Sequence, residues 1–518
     1  MQERCLHKRL QPLCSEHRPK RVADDCAGIS ASVLSKPCKK SKTRSDDWSK
    51  KDVATASAWS PADHAEAFAA AVEAVMTTDG TWVNLTHRAL SCATAKISSC
   101  DYLKILYPHD RDADCVLEES THTYFVRGCR YDHSVTSVWS VFFPKFESDI
   151  SERMLVKAAE RGLFNMESSV YWLYMHLTYC DRLQPDSSLF WMKIEKALET
   201  AQGFYTGLDS SSFDKDAARE HFQHLSRTDA VHKPIGASCY FLVFCAGYTA
   251  SDIRNVWQMH GNLESLKGTL VHKQAELFMQ ELALCQVESK RKHVPLGEAL
   301  ANEYVLRRAR EAAKIHAAIR RVAPHVCPEI WDHPVTQRYL RKVLTTDHGM
   351  EFTKVEAWLR ANPKLSPYRS EWSIYDENAQ VAGQIDSLWF DESRPGMTVM
   401  VDWKRVRKTL DADVFDQEMQ AFGKYGLETC SFATDYVGPC ADMFDCAYNH
   451  YLVQQHLYAY ILRLHYGVNI GRMMLLQCHP DVGERVDAFH EVEFKERPEL
   501  AGRVLEAFVH GWSKLLET

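Results

Sequence analysis

After Pro367 the hydropathy pattern of this chain changes period, and that change limits its fold more than any other feature. YRSEWSIYD (Tyr368–Asp376), VAGQIDSLWF (Val381–Phe390) and MTVMVDWKRV (Met397–Val406) alternate apolar and polar residues and read as three consecutive strands. The links are an Asp-Glu-Asn turn and a Glu-Ser-Arg-Pro-Gly turn, which makes the three an antiparallel meander. A helix over about 448–466 follows, then a strand, Gly471–His479, and a closing helix near 499–516. Strand, strand, strand, helix, strand predicts an α/β (α+β) chain with a mixed central sheet flanked by helices.

Upstream the chain reads differently. Residues 1–58 are rich in Ser, Lys, Arg, Asp and Cys without periodicity, as in a disordered basic tail. Its KPCKKSKTR run (Lys36–Arg44) reads as a nuclear localisation signal or as a solvated tail with no address. DHAEAFAAAVEAVM, from Asp63, has helical spacing. His122–Val126 reads as a strand, Arg127-Gly128 as a hairpin turn, and Ser134-Val135-Thr136 as an N-cap opening a short helix. From about 150 to 345 most segments look helical. One of them, Glu298–Val322, carries Arg307, Arg308, Arg310, Lys314, Arg320 and Arg321, either a solvated helix face or a surface that tracks phosphates. The expected organisation is a tail (1–58), a mostly helical accessory region (59–265) that includes the hairpin and S-V-T segment at 118–150, and a core (266–518) with a helical insertion at about 281–345.

Composition excludes little. The 518 residues carry a net charge of −7, but residues 1–50 hold twelve Lys/Arg against six Asp/Glu, leaving −13 on the remainder. No apolar run reaches the roughly 18 residues of a membrane span, and ASCYFLVFCA (Ala237–Ala246) reads as buried core. No apolar signal region opens the chain, and Glu3, Glu16, Asp24 and Asp25 argue against a mitochondrial presequence. An intracellular chain is expected, in the nucleus rather than the mitochondrion. Its 17 cysteines form no C-x-x-C pair, so neither a zinc ribbon nor a disulfide framework is indicated.

The chemistry centres on Asp402-Trp403-Lys404. On a strand Asp402 and Lys404 share a face while Trp403 packs beneath. Metal-dependent phosphodiester hydrolysis needs such a pair, the carboxylate for Mg²⁺ and the ammonium to position or deprotonate water and offset phosphate charge. Roughly four D/E-x-K triplets are expected by chance in a chain of this composition, so the triplet alone also reads as a surface ion pair. Asp386, in Gly383-Gln-Ile-Asp386, lies on the preceding strand, and a hairpin would bring both carboxylates to one end of the sheet. Two acids held together on apolar strands imply a cation. Upstream, Gly268 and Thr269 read as the start of a helix on which His272 and Glu276 share a face. Downstream, Gln454 and Tyr458 share a face of the helix after the meander.

Taken in order, G-x-x-x-H (Gly268, His272), I-D (Ile385, Asp386), D-W-K (Asp402, Trp403, Lys404) and Q-x-x-x-Y (Gln454, Tyr458) resemble the PD-(D/E)XK nuclease superfamily. The similarity is to its RecB-like branch, which includes mitochondrial genome maintenance exonucleases. The S-V-T segment and H-T-Y, F-F-P-K-F and G-Y-T-A-S-D-I are also similar to nuclease-like proteins of giant viruses and protist mobile elements. The resemblance spans about 120–150 and 247–510, leaving 150–246 and 281–345 as helical insertions. It implies a restriction-endonuclease-like core and an Mg²⁺- or Mn²⁺-dependent DNA nuclease. His272, Asp386 and Asp402 would converge on the metal, helped by the Trp403 carbonyl, with Lys404 as the catalytic lysine and Glu371 as a supporting acid. Gln454, Tyr458, Ser134, Thr136 and Arg405 would contact the DNA, with Arg407 and Lys408 beside them. Cys440 and Cys446 precede Q-x-x-x-Y and only Cys478 follows it, so no iron–sulfur cluster is expected. The Q-x-x-x-Y helix favours an exonuclease acting on ends or single strands. An endonuclease of a mobile element and an inactive nucleic-acid-binding descendant are the alternatives.

Overall fold

The computed structural model describes residues 101–119, 121–142, 166–185, 187–206, 241–242, 245–406, 410, 438–440, 443, 447–482 and 488–510. The chain divides into two units, Met1–His64 and Ala65–Thr518, and every described residue lies in the second. The basic tail, the Lys36–Arg44 run, the helix expected from Asp63, most of F-F-P-K-F, and Arg407 and Lys408 lie outside the described residues.

The meander forms where the alternation places it. The strands are β1 (Cys115–Glu118), β2 (Thr123–Val126), β3 (Cys129–Tyr131), β4 (His133–Ser134), β5 (Leu365–Asp376), β6 (Val381–Asp391), β7 (Thr398–Lys404), β8 (Ile470–Gln477) and β9 (His490–Glu493). Side chains make the turns between the long strands. Asp376 Oδ1 accepts the Ala379 N–H at 2.8 Å, and Gln380 takes a left-handed φ of 52°. In the next turn Asp391 Oδ1 accepts the Ser393 N–H at 3.0 Å, and Gly396 supplies φ 82°. The Arg127-Gly128 turn joins β2 to β3 with both φ angles positive, as a two-residue hairpin requires.

Two sheets result. β1–β2–β3 is antiparallel. The six-stranded sheet is mixed: β5–β6, β6–β7 and β8–β9 are antiparallel, whereas β4–β6 and β7–β8 are parallel. A parallel β7–β8 pair needs a crossover, and the segment after β7 provides one with the helix Ala447–Ile461 and a π turn, Leu462–Tyr466. β6 is longer than either β4 or β7. Its first residues pair with β4 and its last with β7, leaving 383–386 between the two partners.

Helices cover both faces. Val399, Val401 and Trp403 of β7 pack with Val271, Phe278 and Met279 of a helix spanning Ala250–Glu288. Met400 packs on the other face with Leu452, Val453 and Leu457 of the crossover helix and Leu500 and Val504 of the closing helix, Leu500–Val509. A third cluster joins the first half of the 39-residue Ala250–Glu288 helix to helices Met166–Tyr179, Ser188–Thr206 and Ile315–Val322. This helix is capped by Thr249 and Asp252. It runs through the boundary expected at 265/266, and Gly268 and Thr269, read as a helix start, lie within it. Helical propensity tolerates a mid-helix Gly, and nothing stands within 4 Å of where its Cβ would be. The basic stretch expected as one helix is divided among three, Leu296–Ala301, Glu303–Ala312 and Ile315–Val322, with breaks at Asn302 and after Ala312. Among the described residues no helix is long and apolar enough to cross a membrane.

Gly383 is required by packing. A Cβ there would stand 2.6 Å from the Tyr458 ring and 2.9 Å from Val135, where β6, the crossover helix and the S-V-T segment meet. Gly383→Ala is expected to destabilise the fold by about 1–3 kcal/mol, the usual cost of overpacking. Urea unfolding reads this directly, and an unchanged midpoint would contradict it.

Candidate functional site

The candidate site lies where β6 and β7 part. Ser387 pairs with Val401 across these strands, which sets Asp386 opposite Asp402. Beyond that pair the backbone ladder stops. The Trp403 N–H donates instead to Asp386 Oδ2, at 2.9 Å, so a carboxylate takes the place of a strand carbonyl. On the other side of β6, the β5 register passes from Ser370↔Ser387 to Trp372↔Ile385, and Glu371 stands opposite Asp386 without a ladder pairing. Glu371 has φ 45°, a left-handed backbone inside a strand that costs about 1–3 kcal/mol. Its freed carbonyl accepts the Gln384 Nε2–H at 3.1 Å.

His272 reaches this junction from the Ala250–Glu288 helix. Its Nε2 lies 2.5 Å from the Trp403 carbonyl oxygen. Burial, aided by the Lys404 charge, drives its pKa down to about 4, so the ring is neutral. At 2.5 Å two lone pairs would repel, which assigns the proton to Nε2 and leaves Nδ1 as an acceptor. Nδ1 faces Asp386 Oδ2 at 3.5 Å and Glu371 Oε1 at 4.0 Å, so the free imidazole lone pair and two carboxyl groups turn toward one another. Among the described residues His272, Glu371 and Asp386 form the group whose ligand atoms all lie within 4.8 Å of one another. The resemblance implied Asp402 in place of Glu371, and the structure does not include Asp402 in that group. It also commits the Trp403 carbonyl to His272.

Asp402 and Lys404 occupy the face of β7 that carries Met400. Lys404 Nζ lies 2.6 Å from Asp402 Oδ1 and 3.9 Å from Asp386 Oδ2. The Asp402 side chain is only 5% exposed, and its Oδ2 is buried with no hydrogen-bond partner. Burial and the nearby Asp386 push the Asp402 pKa up to about 8, against the pull of Lys404. Burial and Asp386 also raise Glu371 well above the usual carboxylate range. Burial works against the Lys404 ammonium, but Asp402 and Asp386 outweigh it and keep the amine protonated. The charged forms of Glu371, Asp386 and Asp402 against one lysine would leave two negative charges uncompensated. Hard oxygen donors plus one imidazole suit a divalent ion such as Mg²⁺ or Mn²⁺, and the orphaned Asp402 oxygen and the local charge fit such a group.

The remaining candidates fall into two sets. Tyr458 is buried beside the acids, and Gln454 Nε2 donates to its hydroxyl at 3.4 Å. Val135 touches the Gly383 position, which brings the S-V-T segment to the same junction. Ser134 Oγ caps its helix by accepting the Ser137 N–H and lies 2.8 Å from Thr136 Oγ1, so the Ser134 hydroxyl is already engaged. Arg405, expected to contact DNA, is engaged within the protein. Its side chain is 9% exposed and ion-paired with Glu264 and, at 2.9 Å, with Glu351. Arg308 and Arg310 are likewise paired, with Glu281 and Glu288 and with Glu356, so those two do not form a free phosphate track. Two residues were overlooked in the sequence, Gln384 and Tyr451. Lys404 Nζ sits 5.6 Å from the centroid of the Tyr451 ring. Tyr451 lies three residues before Gln454, on the same face of the crossover helix, which is the signal that could have found it.

Proton linkage gives a test in the absence of metal. Glu371 and Asp402 keep protons in the folded state that the unfolded chain releases near pH 4, so their contribution to stability falls as pH rises towards about 8. His272 acts oppositely, but its contribution is complete once pH exceeds the ordinary value of 6.5. In EDTA the melting temperature is expected to fall between about pH 6.5 and 8, and Mn²⁺ to restore it with release of protons. A flat profile with no response to Mn²⁺ would remove the cation from the site. Arg405→Ala is expected to cost stability, about 3–5 kcal/mol for a broken buried pair, rather than affinity for DNA alone. Unfolding curves and DNA titrations of the same variant separate the two. The chain matches no protein-family model and no curated protein.

Proposed function

We propose that this chain is a divalent-metal-dependent nuclease that hydrolyses phosphodiester bonds of DNA, acting on ends or single strands. The observation that carries the proposal is the meeting of His272, Glu371 and Asp386 beside the Asp402–Lys404 pair at the parting of two strands. His272, Glu371 and Asp386 would hold Mg²⁺ or Mn²⁺, with the unpartnered Asp402 oxygen adjacent. When bound, the cation supplies a Lewis acid that offsets phosphate charge and acidifies water.

The chain's own groups do the rest. Lys404, 20% exposed and held protonated, offers an ammonium to a phosphate oxygen, so its part is charge stabilisation and orientation rather than proton removal. Asp402 keeps that ammonium in place through its Oδ1. Tyr451 covers the lysine, and Tyr458 and Gln454 fill the wall beside the acids. Preference for ends or single strands follows from the likeness of the Gln454–Tyr458 helix to the RecB-like branch.

The purified chain is expected to degrade end-labelled single-stranded or duplex DNA only when Mg²⁺ or Mn²⁺ is added. Lys404→Ala and Asp386→Asn are expected to slow this at least about a hundredfold with the fold intact by circular dichroism. Undiminished cleavage in EDTA or by the lysine variant would end the proposal. Cleavage of circular DNA would make the enzyme an endonuclease.

A further inference from the structure

We infer that Gln384 is a positioning residue: its carboxamide draws the Glu371 carbonyl out of the strand ladder and holds Glu371 in the left-handed conformation that sets its carboxylate against His272 and Asp386. The inference rests on reading those three residues as cation ligands. Four observations meet here. Glu371 has φ 45° in the middle of a twelve-residue strand. The ladder skips the Glu371–Asp386 pair although both neighbouring pairs form. Gln384 Nε2 donates to the Glu371 carbonyl at 3.1 Å from the diagonal position on β6. Glu371 Oε1 comes to 4.0 Å from His272 Nδ1.

The physical reason is a competition. A glutamate left to itself adopts the extended backbone of its neighbours and returns its carbonyl to the ladder. A side-chain donor placed two residues before Asp386 offers that carbonyl an alternative partner and offsets the strained backbone. The neighbouring Lys273 and Glu276 form an ion pair of their own on the helix above, and the hydrogen bond to the Glu371 carbonyl comes from Gln384. Gln384 would thus act through Glu371 and touch neither cation nor substrate.

The test is a double-mutant cycle on the full chain with Gln384→Leu, Glu371→Gly and the pair, read by urea unfolding and by Mn²⁺ titration in electron paramagnetic resonance. Glycine accepts a positive φ without strain, so Gln384→Leu should destabilise the glutamate protein more than the glycine protein. It should also weaken Mn²⁺ binding roughly 10–100-fold in the glutamate background and leave the residual binding of the glycine background unchanged. Additive losses of stability would overturn the proposal, since they describe a plain carbonyl cap. Wild-type Mn²⁺ affinity in Gln384→Leu would overturn it as well. If the unaltered chain binds no Mn²⁺, the reading of the site as a cation centre fails, while a non-additive unfolding cycle would still support the role of Gln384.

Discussion

The bond between the Trp403 N–H and the Asp386 carboxylate is the contact on which the rest of the site depends. A sheet that keeps its ladder offers only side chains at its faces. Here β6 and β7 stop exchanging backbone bonds one residue past Ser387↔Val401, and a carboxylate satisfies the donor that is released. β5 gives way at the same level, where Glu371 leaves the ladder. The sheet therefore opens from both sides of β6 at Asp386. The His272 helix reaches this opening from one face and the Tyr458 helix from the other, so groups from opposite layers of the fold meet at one point.

Charge balance follows from that geometry. Three carboxylates converge with one ammonium in surroundings where their side chains are between 5% and 20% exposed. Repulsion and burial together hold two of the acids partly protonated, and Lys404 compensates only one of the three. A divalent cation held by His272, Glu371 and Asp386 would offset that deficit. The strain at Glu371 and the buried, unpartnered oxygen of Asp402 belong to the same economy: both are local costs that the surrounding strands sustain.

How far the site could be read beforehand depended on how local each signal was. Strand alternation puts Asp402 and Lys404 on one face, the hairpin brings Asp386 near them, and helical spacing puts Gln454 and Tyr458 on one face, because each rule is local; that these residues form a site is what the resemblance to the nuclease superfamily implied. Arg405 shows the opposite case: its partners Glu264 and Glu351 lie far away in sequence, so no local pattern announces that its guanidinium is engaged within the protein. Arg308 and Arg310 repeat the lesson on the surface. Glu371 was placed on the correct strand, yet its closeness to His272 depends on a left-handed residue that no periodicity announces.

By itself the sequence determined the three-strand meander, the helix and strand that follow it, and which faces of β6, β7 and the crossover helix carry polar groups, since these follow from period-two and period-3.6 alternation. Only the tertiary structure decided that β6 is shared between β4 and β7, that one continuous helix joins the helical region to the sheet, and which cations are spent on internal pairs. Those outcomes depend on contacts between residues that lie beyond the reach of a helix turn or a strand alternation, from 20 positions apart for Arg308 and Glu288 to 141 for Arg405 and Glu264, and such contacts are set by packing of whole layers rather than by any local pattern.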